Sequence, residues 1–102
     1  MRRMIARHWC GLAKPMHADR YVEHLRQETF PMLRAIPGFV DASILRRNTD
    51  RGVEFLIVTR WQSMQAIEQF AGRDPDLAVV PAEVQRMMID YDRSARHYEV
   101  VE

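Results

Sequence analysis

The sequence predicts an α+β sandwich in which helices cover one face of a four-stranded antiparallel sheet. Strand-like and helix-like stretches alternate in the order β-α-β-β-α-β. Most breaks between them carry proline or glycine, as in Lys14-Pro15, Pro37-Gly38 and Gly72 to Pro75. The stretch Val53–Trp61, VEFLIVTRW, is apolar on both faces. A strand exposed on one side would alternate, so this one needs cover on both.

Taken in order, Met4 to Leu12 reads as a first strand, with Met4, Ala6, His8 and Cys10 on one face and Ile5, Arg7 and Trp9 on the other. From His17, apolar residues recur at helical spacing through Ala18, Tyr21, Val22, Leu25, Thr29 and Leu33. Pro31 falls inside that pattern and predicts an end or kink between Gln27 and Phe30, with a short second segment through Ala35. After Ile36-Pro37-Gly38, a second strand runs from Phe39 to Arg47, a hairpin loop from Asn48 to Gly52, and the third strand from Val53 to Trp61. Ser63 is placed to cap a helix from Met64 to Ala71, with Ile67 and Phe70 inward and Gly72 closing it. Leu77 to Met88 reads as further helix interrupted by Pro81, which suits the first turn of a new segment. Arg93 to Val101 is the fourth strand.

A chain of 102 residues, 47% apolar and 28% charged, predicts one domain over 1–102 with one core. Formal net charge is +1 with acids and bases interspersed, which disfavours nucleic acid as a partner. Arg46-Arg47 is the densest basic spot after the N-terminus and reads as a solvated hairpin tip. A single cysteine, Cys10, excludes an internal disulfide, and no C-x-x-C spacing points to zinc. No stretch is long and apolar enough for a membrane span or a signal h-region, so the expectation is a soluble cytoplasmic protein. The bare second face of the sheet predicts a homodimer packed sheet against sheet.

With these elements in place, the sequence resembles the antibiotic biosynthesis monooxygenase family, whose ferredoxin-like domains pair into dimeric α+β barrels. The resemblance rests on Met4-Ile5-Ala6-Arg7, Tyr21-x3-Leu25, RAIPGFVDASILRR (34–47), VEFLIVTRWQSMQAIEQFAG (53–72) and RHYEVV (96–101). It implies a pocket between sheet and helices and a dimer on the sheet's other face. The family includes quinone-forming monooxygenases and haem-degrading enzymes.

By this resemblance, His8 stands where haem-degrading relatives place a catalytic asparagine, and Trp61 where they carry a pocket tryptophan. His8 is then the candidate base, or else a buried histidine satisfied by its neighbours. Trp61 either walls the pocket, donating its N–H, or caps the core. Tyr21, Leu25, Phe30, Phe55, Ile57 and Phe70 are the expected substrate-binding wall, and His97 either lines the pocket or the dimer seam or has a structural or surface role. The axial histidine of the haem degraders falls about where Val79-Val80 stand, and no histidine lies between His24 and His97, which disfavours haem. His24 and Glu28 have metal-binding spacing but lack a third ligand nearby in sequence, so they read as a solvated helix face and no metal is expected. Covalent catalysis has no support, because neither Cys10 nor any serine sits in a nucleophile motif.

The function these readings favour is cofactor-independent oxygenation of an electron-rich aromatic or polyketide-like molecule in an apolar pocket. The alternatives are a non-catalytic dimeric binder or stress-response protein, an isomerase or decarboxylase using the same pocket, and a haem-binding relative without the usual axial histidine.

Overall fold

The computed structural model describes residues 4–102. Strands β1 (Ile5–Ala13), β2 (Phe39–Asn48) and β3 (Val53–Trp61) form the body of the sheet, in the order β2-β3-β1. The outer edge of β1 carries two short strands, β4 (Met88–Tyr91) on its C-terminal half and β5 (Arg96–Glu99) on its N-terminal half. All pairings are antiparallel. With β4 and β5 counted as one broken edge, this is the ferredoxin-like order expected from the sequence.

The β1–β3 register decides which side chains share a face. Arg7 lies opposite Thr59, Trp9 opposite Ile57 and Gly11 opposite Phe55, while His8 lies opposite Val58 and Cys10 opposite Leu56. Helices α1 (Ala18–His24), α2 (Phe30–Arg34) and α3 (Met64–Ala71) bury Tyr21, Leu25, Phe30, Leu33 and Ile67 against the first set. Phe55, Trp61 and Ile67 are wholly buried there. VEFLIVTRW therefore has one fully covered face, Val53 through Trp61. Its other face is half covered: Leu56 is partly exposed, Val58 is buried within the chain, and the ends are held by ion pairs, Glu54 to Arg47 at 3.0 Å and Arg60 to Asp41 at 2.7 Å.

Regular helix is interrupted near Pro31, as the sequence predicts: α1 ends at His24 and α2 begins at Phe30. Proline has no N–H to give the carbonyl of Gln27, and the chain absorbs the loss in one wide π turn, Leu25–Thr29, closed by the Phe30 amide on the Leu25 carbonyl. At α3 the prediction holds to the residue: Ser63 Oγ accepts from the Ala66 amide at 3.2 Å and Gly72 closes the helix at φ 86°.

Two expectations are corrected. Helix over Leu77–Met88 shrinks to α4, Ala82–Met87, with Pro81 at its N-cap rather than in its first turn. Val80 precedes a proline and is pushed toward extended backbone. Upstream, Ala78 donates to the Arg93 carbonyl and Leu77 bridges Ser94, so this segment pairs with the chain end instead of coiling. The last strand begins at Met88 rather than Arg93 and breaks between Tyr91 and Arg96.

Candidate functional site

Between sheet and helices lies a small cavity of about 70 Å³. That is room for a few waters or one small ring system. Trp9, Ile57 and Thr59 rise into it from the sheet, and Tyr21, Leu25, Phe30, Leu33 and Phe70 close it from the helices. Val79, Pro81 and Val84 form the wall contributed by α4 and the segment before it. The lining is mostly apolar, and its polar members are Arg7, His24, Thr29 and Thr59.

Arg7 is the charged group of this cavity and is 5% exposed. Its Nη1 donates to the Pro75 carbonyl and lies 2.8 Å from His97 Nε2, while Nη2 donates to the Leu77 carbonyl at 3.0 Å. His97 Nδ1 lies 3.3 Å from Asp76 Oδ1. A consistent assignment puts the imidazole proton on Nδ1, facing Asp76, and leaves Nε2 to accept from Arg7. Burial lowers the Arg7 pKa and Asp76 opposes that shift, but a guanidinium keeps its charge in proteins. Burial, then Arg7 itself, also lowers His97, which favours the neutral acceptor that the geometry calls for. Among the described residues these contacts engage three of the five guanidinium donors, and the Phe70 ring lies 5.7 Å from Cζ.

The expected wall residues Tyr21, Leu25, Phe30, Ile57 and Phe70 do line the cavity. Phe55 does not; it is buried beneath Tyr21, edge-on at 4.9 Å. His97 stands behind Arg7 and borders a separate surface groove with Ile5 and Met64. Of the two readings of Trp61, core cap and pocket wall, the structure agrees with the first, and Trp61 is absent from the cavity lining. Its indole N–H donates to Thr59 Oγ1 at 2.8 Å and its ring packs on Phe39 and Phe70, so it closes the core behind the cavity wall.

His8 is a correction. Strand alternation turns it to the face away from the helices, where its ring meets Tyr98 at 4.9 Å; burial, then Arg60, lowers its pKa. It cannot serve as a base in this cavity. The residues missed by the sequence reading are its neighbours Arg7 and Trp9. Gly11 was the available signal, because a glycine inside a strand marks a close approach. A Cβ there would lie 2.6 Å from the Trp9 ring.

Residues 12–80 match the family model described as antibiotic biosynthesis monooxygenase, more than half of the chain. The chain belongs to the antibiotic biosynthesis monooxygenase family. Among solved structures, a family protein from Bacillus cereus superposes with a TM-score of 0.69 at 24% identity, over 98% of this chain and 95% of that one. One from Caulobacter crescentus gives 0.72 at 18% identity, over 99% and 92%. A haem-degrading protein from Mycobacterium tuberculosis gives 0.61 at 18% identity, over 100% and 96%. No curated protein matches the sequence. At these identities the likeness establishes that this antibiotic biosynthesis monooxygenase family member shares their fold. Among its described residues no helix is long and apolar enough to cross a membrane.

Proposed function

We propose that the cavity binds a small aromatic molecule with an acidic hydroxyl, receives its oxyanion at Arg7, and supports oxygenation without a cofactor. The observation that carries this reading is a buried guanidinium in the lining of a mostly apolar cavity, with three of its five donors engaged among the described residues. A fixed cation in such surroundings favours the ionised form of a bound phenol or enol, by the same effect that lowers the pKa of a carboxyl beside arginine. The phenol proton leaves to solvent, so no base at His8 is required. The electron-rich anion then reduces molecular oxygen and forms a carbon–oxygen bond to it. The peroxide takes up a proton, and loss of water across its O–O bond and the C–H bond leaves a carbonyl, one oxygen in the product and one in water.

The size of the cavity favours one or two fused rings over a larger polyketide. Val79 and Pro81, in the wall where the resemblance puts an axial histidine, offer no ligand to haem, which weighs against the haem-binding alternative. A non-catalytic binder is the second reading, supported by the fact that Arg7 and the apolar wall suffice for binding alone. Titration with naphthols, followed by quenching of tryptophan fluorescence, and oxygen uptake with dihydroxynaphthalenes and anthrones separate the two. Oxygenation predicts both signals, with uptake lost in Arg7→Met. Binding without uptake from any substrate leaves the binder, and no binding sinks both.

We further propose that the open sheet face pairs with a second copy. Leu56 is partly exposed there, and Leu45 and Tyr98 on the same face are 47% and 48% exposed.

A further inference from the structure

His24, Glu28 and Glu83 meet where α1, the π turn and α4 converge, with one ligand atom from each within 4.8 Å of the others. His24 Nδ1 is 2.7 Å from Glu28 Oε2 and 3.8 Å from Glu83 Oε2. The imidazole side chain is 8% exposed, whereas the carboxylates of Glu28 and Glu83 are 62% and 46% exposed. Nδ1 is itself buried and has no hydrogen-bond partner among the described residues: the Glu83 oxygen is too far, and that of Glu28, though close, makes an ion-pair contact without hydrogen-bond geometry. A buried, unsatisfied nitrogen is costly to leave unmade, and two carboxylates gathered around it add mutual repulsion. A cation bonded to Nδ1, with the imidazole proton on Nε2, relieves both.

We infer that these three residues form a binding site for a divalent transition-metal ion at the rim of the cavity. One imidazole and two carboxylates make a mixed N/O donor set, suited to Zn²⁺, Mn²⁺ or Fe²⁺ rather than to the all-oxygen shell that Ca²⁺ prefers. Three protein ligands leave a coordination position for water or a ligand, as in open zinc sites. His24 also lines the cavity, and Glu83 stands beside Val84, another lining residue, so the metal would sit at the cavity's edge. Glu28 owes its place to the π turn and Glu83 to the short α4. The site does not rest on the oxygenation proposed above and stands or falls separately.

Chelator-treated protein titrated with Co²⁺ alone, and then with Zn²⁺ as competitor, tests the site. The expected result is one equivalent bound, with d–d absorption bands that differ from aqueous Co²⁺ and are abolished by Zn²⁺. Zn²⁺ should also raise the thermal midpoint. Glu28→Gln and Glu83→Gln replace exposed carboxylates without disturbing the core, and each should weaken Co²⁺ binding by about tenfold or more, the scale on which even outer partners of a metal act. His24→Ala should abolish binding, with circular dichroism reporting whether that variant folds. A Co²⁺ spectrum that stays aqueous throughout overturns the site. So does binding that is unchanged in both glutamine variants.

Discussion

At the scale of single residues, one guanidinium does two things. Arg7 ties Pro75, Leu77 and His97 to the sheet, and it presents a positive charge to the cavity. Arg7→Lys separates these roles, since lysine keeps the charge but loses the fork. Freed carbonyls should cost about 2–3 kcal/mol of stability, while naphthol binding is weakened less than in Arg7→Met. Equal loss of binding in the two variants would argue that only geometry matters. His97 adds a pH dependence. Its folded pKa is lowered, first by burial and then by Arg7, so the unfolded chain takes up the proton more readily. Its contribution is therefore complete above the unfolded value near 6.5 and is lost as pH falls below it toward the folded value. Thermal midpoints should drop between pH 7 and 5 more steeply in the wild type than in His97→Gln. Parallel curves would remove His97 from the account.

At the scale of elements, β1 illustrates what strand alternation enforces. His8 and Arg7 are adjacent in sequence and on opposite faces, so only one can reach the helices. Alternation separates these two faces but does not say which one the helices cover: the resemblance points to the face of His8, and the helices cover that of Arg7. Gly11 permits the Trp9 ring to lie close over the backbone beside Met88. Gly11→Ala puts a methyl 2.6 Å from that ring. It should cost about 1–3 kcal/mol and alter the tryptophan near-UV circular dichroism. An unchanged spectrum with unchanged stability would mean the ring has slack that the geometry does not suggest.

At the scale of the whole molecule, the sandwich leaves one sheet face without helices. Val58 is already buried by its own chain, and the charged ends of β3 are paired, so the uncovered apolar area is narrower than the sequence implied. Leu56, Leu45 and Tyr98 remain for a partner. Light scattering should give twice the chain mass, and Leu56→Asp should shift the equilibrium to monomer by burying an unpaired charge in the interface. A monomeric wild type at micromolar concentration would refute the pairing.

Periodicity and turn chemistry, both local, determined the three long strands, the capped α3 and the element order, because each follows from spacing of two or of three to four residues and from what proline and glycine forbid. They also determined that VEFLIVTRW is covered on its Val53–Trp61 face. Register and long-range contact decided the rest. Leu77 and Ala78 stay out of the helix because a distant stretch of chain, Arg93-Ser94, offers them partners. Trp61 serves the core because Thr59 takes its N–H, and Glu83 reaches His24 only because α4 folds back on α1. Such choices depend on which side chains meet across the sheet and between helices, and no spacing along the chain encodes that meeting.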